Sequence, residues 1–444
     1  MEDKNKLRQE DVAMSQIYKS NTELNSNKHQ KINLLFPVFG EQDPISLSET
    51  IVNNPISRPF SSITVNFISE FSRSILKSKK WREYPDVIAL ANWFRPKRLE
   101  YLKEIFLKNP DDIILRPRGV IFHVAPSNVD TIFLYSWLLS LLVGNINIVK
   151  VSSKQDGLTK LLTSTLDKLV KSKKEYTCIF DRNKIITYDN QKYINDIFSS
   201  ICDLRVIWGG DTTVQTVRQS PLKPTGKDLT FPDRFSMGII NVEAYIESNE
   251  KEQNTLATNI TKDITLFGQQ ACSSIRAIAW ICKDENLIIK AQEHLWRNVY
   301  EKLKLNEGLN GGEIMERFIS AVSFLSSIPS KPNSANGFTE FVYRIPIDNS
   351  KKAAENFRTW HSGNLLIGEI YLKDLDQLST WLNIKTQTIA SFGYDNKALK
   401  EFCMNLENSY IDRFVSYGSS LEFDHIWDSQ DFLVSFSRAT RVKL

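Results

Sequence analysis

The stretch from Arg118 to Ser153 limits the folds open to this chain more than any other part of it. GVIFHV (119–124) is a strand-like run, APSNVD (125–130) a turn, TIFLYSWLLSLLV (131–143) a helix, GN (144–145) a helix cap and INIVKV (146–151) a second strand. Two strands joined through a helix lie parallel, because only a crossover of that length returns the chain to the same end of a sheet. The helix is apolar almost all round, so it needs cover on every side, which packing against a parallel sheet provides. Such a βαβ unit sets its turn residues Pro126, Ser127 and Asn128 at the carboxyl edge of the strands, where open α/β sheets bind ligands.

The same alternation continues. A helix is expected over Leu158–Val170 and a strand over Leu204–Trp208, followed by GGDTTVQTVRQ opening another helix. Gly209 and Gly210 leave that turn without side-chain bulk, so phosphates can approach the helix N-terminus, although a plain connection reads the same way. Next come a strand MGIINV (237–242), a helix from about Asn249 to Phe267 with Leu256, Ile260 and Ile264 on one face, and a strand IRAIAWI (275–281). Between the last two lies FGQQACSSIRAI, with Gly268 expected to end the helix and Cys272 in a tight helix-to-strand loop. A cysteine flanked by small and polar residues is placed for access, and spare backbone N–H groups in such a loop can face an oxyanion. Upstream, residues 32–109 carry several prolines and helical stretches around Ile63–Leu76 and Tyr84–Phe94, read as an N-terminal helical cap. Residues 1–31 are polar and read as a leader outside the fold.

Composition removes several classes of function. A net charge of +4 from 56 basic and 52 acidic residues offers no footprint for nucleic acid. The longest apolar run, Thr131 to Val143, is shorter than the roughly 20 residues a membrane span requires, and no secretory leader is apparent. The five cysteines, Cys178, Cys202, Cys272, Cys282 and Cys403, have neither CxxC nor Cys/His ligand spacing, so no metal site and no disulfide framework is expected. A reducing cytoplasm fits that usage. All but Cys272 sit in apolar or amphipathic runs and read as core.

Five motifs in order, YPDVIALANWFR (84–95), PSN (126–128) with NIVKVSS (147–153), WGGDTT (208–213), QQACSS (269–274) and GSSLEFDHIWD (418–428), resemble the acyl-CoA reductases of the bioluminescence type. These are the fatty-acid reductase branch of the aldehyde dehydrogenase superfamily, and the resemblance spans almost the whole chain after residue 31. It implies an α/β, aldehyde dehydrogenase-like fold: a Rossmann-like cofactor domain, a smaller α/β catalytic domain and an oligomerisation arm. The expected divisions are a helical cap and nicotinamide-cofactor domain over 32–245, a catalytic domain over 246–410, and a segment 411–444 returning to the cofactor domain or to an oligomer interface.

Residue by residue, the resemblance makes Cys272 the nucleophile and Asn128 the side chain that helps form the oxyanion hole. Lys150 matches a lysine that meets the adenosine ribose, and Gly210 and Asp211 match the Gly-Ser of a phosphate-side turn. Ser127, Ser152 and Gly209, in the same motifs, are grouped with them at the cofactor. Asp211 departs from the pattern, since a carboxylate beside a pyrophosphate repels it unless it faces a ribose or solvent. Without the resemblance, Asn128 is a turn former and Lys150 a solvated strand tip.

Hydrolytic aldehyde dehydrogenases carry a glutamate in an ELGGK segment, whereas the matching stretch here reads TFPDRFSMGII, with Phe231 near that position and DRFS a feature of the branch. Asp228 and Asp233 are the candidate substitutes for that base. Lacking the base, an acyl-cysteine should resist water and yield to a hydride or a thiol. The implied reaction is reduction of a fatty acyl thioester, acyl-CoA or acyl-protein, to the aldehyde by NADPH, with NADH as the alternative cofactor. The implied partners are a second copy of the chain, an acyl-protein synthetase and an acyl-transferase. Two other readings stay open: reduction of another activated acyl group, such as an acyl phosphate or a carrier-bound acid, and a silent scaffold. His425 and His361 are candidates near the cleft, and Phe423 and Trp427 for an acyl tunnel, though aromatics so spaced are commonly core.

Overall fold

The computed structural model describes residues 31–37, 40–108, 110–126, 131–153, 157–189, 191–305, 308–327, 338–407 and 410–443. Apart from Lys31, the expected leader lies outside the described residues. Contacts divide the chain into two units, one running to Pro232 and resumed from Phe423, the other Asp233–Glu422. The sequence reading puts these divisions at 245 and 410. The strand Phe235–Asn241 lies within the second unit's sheet and therefore goes with that unit.

The first unit is built on a seven-stranded sheet. Its strands are β1 (Ile32–Phe36), β2 (Gly40–Gln42), β4 (Val120–Val124), β5 (Ile146–Val151), β6 (Asn183–Thr187), β7 (Leu204–Trp208) and β8 (Lys227–Phe231); β3 (Ile113–Pro117) lies apart from it. The order is β2-β1-β6-β5-β4-β7-β8. β4 to β8 are parallel, and the chain steps outward from β4 through β5 and β6 before crossing to β7 on the other side. That reversal, beside β4, is where doubly wound sheets open a crevice. The segment read as a helical cap begins instead with the β1–β2 hairpin, whose first strand joins β6 antiparallel. INLLF buries Ile32, Leu35 and Phe36, and a strand at the sheet margin accommodates that burial. Helices Ser62–Lys77, Pro85–Trp93 and Pro96–Leu107 follow. β3 pairs antiparallel with Ser437–Arg441 in a separate two-stranded ribbon.

The helix expected over 131–143 is observed as Ile132–Val143, and Phe133 to Val143 are buried around its whole circumference. Gly144 ends it at φ 99°, and a Cβ there would lie 2.4 Å from the Ser57 carbonyl oxygen, so glycine is required on both grounds. Beneath the helix, His123 on β4 is buried between Ser136 Oγ (2.8 Å from Nδ1) and Asn147 Oδ1 (3.0 Å from Nε2). Burial pushes its pKa down to about 4, so it is neutral, donating from Nε2 to Asn147 and accepting from Ser136.

The second unit holds a six-stranded, wholly parallel sheet of β9 (Phe235–Asn241), β10 (Ile275–Ile281), β11 (Tyr343–Ile347), β12 (Leu366–Leu372), β13 (Thr386–Phe392) and β14 (Arg413–Ser416), in the order β11-β12-β10-β9-β13-β14. Helices cover both faces, as parallel sheets require. Glu250–Thr265 packs Leu256, Ile260 and Ile264 on one face together with Glu285–Leu303. Gly311–Ser327, Lys351–Trp360 and Asn396–Asn405 contribute Phe324, Phe357 and Phe402 to the other. Among the described residues, no helix is long and apolar enough to cross a membrane, and no group of three His, Cys, Asp or Glu is placed to hold a metal ion.

Candidate active site

Cys272 lies between a helix and β10, as its sequence position requires. The helix stops at Thr265, short of Gly268, and a single 3-10 turn follows. Phe267, Gly268 and Gln269 take left-handed φ values of 58°, 56° and 65°. For the two non-glycine residues this costs roughly 1–2 kcal/mol each, so neighbouring structure must hold the turn. That support comes from 361–366, whose Gly363, Asn364 and Leu365 are also left-handed at 84°, 56° and 61°. Asn364 N–H donates to Gly268 O at 3.0 Å, the Gln270 amide donates to Ser362 O, and buried Gln269 donates to Ile275 O (2.7 Å) and Leu366 O (3.2 Å). The two turns brace each other and so fix the cysteine loop.

The thiol itself is half-buried. Gln387 Nε2 donates to Cys272 Sγ at 3.2 Å, and Ser236 Oγ donates to Cys272 O at 2.8 Å. Burial pushes the Arg276 guanidinium below its usual pKa, while Asp233 and the Cys272 sulfur oppose that shift, so Arg276 brings positive charge to bear on the sulfur. Sequence reasoning missed Gln387 and Arg276. Ser236 was within view as the serine of DRFS, and the available signal for Gln387 was a polar TQT opening a buried strand.

His361 accepts from Gly363 N–H at 3.1 Å through Nδ1 and donates to Leu366 O at 2.7 Å through Nε2. Burial, reinforced by Arg276, pushes its pKa down to about 3. With both ring nitrogens committed to loop backbone, it is a neutral brace rather than an acid or base. His425, in the first unit, is buried and pairs with Asp424 at 2.7 Å. Cys202 and Cys282 are core, and burial pushes Cys202 up to about 12. Cys403 is exposed and Cys178 partly so, which corrects the expectation for both; the helix Asn396–Asn405 turns Leu399 and Phe402 inward and leaves Cys403 outside.

In the first unit, Lys150 and Ser152 stand at the carboxyl end of β5. Lys150 Nζ lies 5.1 Å from the Tyr188 ring centre, and burial lowers its pKa against the opposing pull of Asp189. Ser152 O accepts from Thr187 Oγ1 at 3.1 Å. Gly209, at φ 152°, follows β7, and a Cβ there would lie 2.9 Å from the Thr213 side chain. Gly210 caps the helix Asp211–Arg218, with nothing within 4 Å of where a Cβ would stand. A cation, an open glycine and a helix N-terminus at one carboxyl edge suit the ribose and phosphates of a dinucleotide. Asp211 is exposed in the first turn, where the helix favours a carboxylate. Ser127 and Asn128 lie outside the described residues.

Phe231 is buried in an aromatic stack, 3.9 Å and 12° from Trp208 and 5.2 Å and 21° from Phe432. Asp228 is occupied: Arg205, buried, holds both its oxygens at 2.8 and 3.1 Å, and Arg218 adds a third contact at 3.3 Å. Asp233 pairs with Lys385 at 3.1 Å. Phe423 and Trp427 pack around Tyr135, with ring centres 4.9 and 6.2 Å away.

No curated protein matches the sequence. Solved structures share the fold at low identity. Aldehyde dehydrogenase 21 from Physcomitrella patens, solved with its reaction product succinate, superposes with a TM-score of 0.65 at 10% identity, over 94% of this chain and 95% of that one. Glyceraldehyde-3-phosphate dehydrogenase GapN from Methanocaldococcus jannaschii, complexed with NADP, gives 0.60 at 14% identity over 94% and 99%. An NAD-dependent benzaldehyde dehydrogenase from Corynebacterium glutamicum gives 0.59 at 11% identity over 95% and 94%. The fold is therefore that of the aldehyde dehydrogenases. The acyl-CoA reductase (LuxC) family profile matches residues 63–304, more than half of the chain and inclusive of Cys272. The protein accordingly belongs to the acyl-CoA reductase (LuxC) family, oxidoreductases that work between the acyl and aldehyde levels.

Proposed function

We propose that the protein reduces a fatty acyl thioester, carried by CoA or by a protein, to the aldehyde through an acyl-Cys272 intermediate. NADPH is the proposed reductant and NADH the alternative. The observation that carries the reading is a half-buried cysteine on a braced loop, its sulfur accepting a side-chain amide N–H, in a chain of this family. The Cys272 thiolate attacks the acyl carbonyl while the Asn128 amide and the Cys272 backbone N–H take the oxyanion, and collapse breaks the thioester bond to expel the carrier thiolate, which is then protonated. Lys150, Ser127, Ser152, Gly209, Gly210 and Asp211 hold the nicotinamide cofactor, which when bound supplies hydride to the acyl carbon. The second tetrahedral oxyanion collapses with cleavage of the C–S bond, releasing aldehyde and restoring the Cys272 thiolate. Residues up to 232 then form the cofactor domain and 233–422 the catalytic domain. A homo-oligomer, in which the β3 ribbon serves as the arm, and supply by an acyl-protein synthetase and acyl-transferase in the cytoplasm belong to the same proposal.

The test withholds the cofactor. Enzyme mixed with a long-chain acyl-CoA should show a lasting mass increase on the Cys272 peptide, discharged far faster by added CoA than by water, and no increase in Cys272→Ala. Adduct on another residue, or rapid release of free fatty acid, overturns the reading.

A further inference from the structure

The hydrogen bond to the Cys272 sulfur is the end of a longer chain. Gln387 is the second residue of β13, its side chain is buried, and its Oε1 lies 3.4 Å from both Ser236 Oγ and Thr388 Oγ1. The hydroxyl proton of Ser236 has its shorter bond to Cys272 O, at 2.8 Å, while its oxygen accepts Thr388 N–H at 3.2 Å. Thr388 Oγ1 accepts from Arg413 Nε at 2.8 Å, which leaves its own proton for Gln387 Oε1. Arg413 is fixed in turn by the carbonyls of Ser420 and Glu422. Donation therefore runs one way, from guanidinium to threonine hydroxyl to amide to sulfur. Reversing the amide would set its oxygen against the sulfur and its N–H₂ against the Thr388 hydroxyl already turned to donate.

From this arrangement we infer that Gln387 is a further catalytic residue, whose amide holds the Cys272 sulfur as the attacking thiolate, with Thr388 and Arg413 as positioning residues behind it. The inference rests on Cys272 being the nucleophile of the proposed reaction. An N–H donor prefers an ionised sulfur to a thiol, which is a weak acceptor, and polarisation by a cation at the head of the chain strengthens that preference. Among the described residues, Arg276 interacts electrostatically with the sulfur and acts in the same direction; Arg276 also feels Asp233, which pairs with Lys385 at 3.1 Å. His361 is neutral over the working range, since its pKa is pushed down to about 3.

The experiment measures alkylation of Cys272 by iodoacetamide against pH, read by mass spectrometry on its own peptide so that exposed Cys403 does not contribute. It needs neither acyl substrate nor cofactor. Gln387→Met, close in volume but without the donor, should raise the midpoint of alkylation by about one to two pH units, the shift a charge-assisted hydrogen bond gives. Gln387→Glu should raise it further, and the acid limb of single-turnover acylation should move with it. Gln387→Met folded as judged by circular dichroism but with the wild-type midpoint overturns the inference. If that variant does not fold, Thr388→Val decides: a smaller shift in the same direction supports the chain, and an unchanged midpoint refutes it. A shifted midpoint in an enzyme that neither an acyl-CoA nor an acyl-protein acylates would sink the proposed function while leaving the sulfur's environment as inferred.

Discussion

Phe231→Glu puts a carboxylate where hydrolytic relatives of this fold were expected to carry their base, and the structure gives the outcome a sign and a size. Phe231 is 3% exposed, stacked on Trp208 and packed beside Phe432. Removing a phenyl ring from such a core costs about 3–5 kcal/mol. A glutamate forced into the same space would stay neutral, and raising its pKa from about 4.3 to above 7 costs about 4 kcal/mol more at neutral pH. The sum, about 7–9 kcal/mol, is comparable to the roughly 5–15 kcal/mol that holds an ordinary domain together. The first unit should therefore be largely unfolded in this variant rather than converted to a hydrolase. Because the folded-state pKa is raised, the penalty is greatest above it and shrinks as pH falls toward the unfolded value near 4.3. Urea unfolding followed by tryptophan fluorescence at pH 7 and pH 5 reads both effects, with Phe231→Leu as the milder control at about 1–2 kcal/mol. A Phe231→Glu protein with the wild-type midpoint and a short-lived acyl adduct would refute the reasoning, since the side chain would then face water and act as the base.

Asp228→Ala should destabilise the first unit by about 3–5 kcal/mol, because it leaves the buried Arg205 guanidinium without its carboxylate, and the lifetime of the acyl adduct should not change; a longer-lived adduct would make Asp228 a water-activating base after all. Stability should also fall as the solution is acidified below about pH 6.5. His123 is held at about 4 against an ordinary 6.5, so the unfolded chain takes up the proton first, and about 3 kcal/mol from this residue is present above pH 6.5 and lost progressively towards pH 4. Thermal unfolding across that range should show a shallower loss for His123→Gln than for wild type, and equal slopes would discount the buried ring.

The elements with a strong period were legible before the fold was known. The strands Leu204–Trp208 and Ile275–Ile281 fall where their apolar runs put them, and the helix Ile132–Val143 is buried all round because it has no polar face to expose. What local pattern misjudged were places where distant contacts decide. The strand Ile32–Phe36 has too few residues to announce itself and is held by pairing with β6, roughly 150 residues later in the chain. The helix before Cys272 stops at Thr265 although Gly268 is the better stop signal, because the turn that follows is held by the loop at 361–366. Cys403 read as core because its helix is amphipathic, but a position beside Phe402 is about 100° round the helix and need not share its face.

The site itself shows a deeper limit. The rule that ligands bind at the carboxyl edge of parallel strands leads to Lys150, Ser152, Gly209 and Gly210, all at carboxyl ends in the first unit. In the second unit the candidate cluster lies at the opposite edge. Cys272 precedes β10, Ser236 and Gln387 are the second residues of β9 and β13, His361 precedes β12 and Arg413 opens β14, so every group around the sulfur gathers at the amino edge. No local pattern marks that edge, since each contributor is one residue at the start of an otherwise apolar strand and its partner is far along the chain; Gln387 and Cys272 are separated by 115 positions. A buried polar residue must nevertheless find a partner. Thr386, Gln387 and Thr388, consecutive and all buried, are therefore an advance notice of this cluster, beside the serine of DRFS. They become readable only once strand order sets β13, β9 and β10 side by side. The candidate cysteine was thus visible in the sequence, whereas the chain of donors behind its sulfur is a property of the sheet.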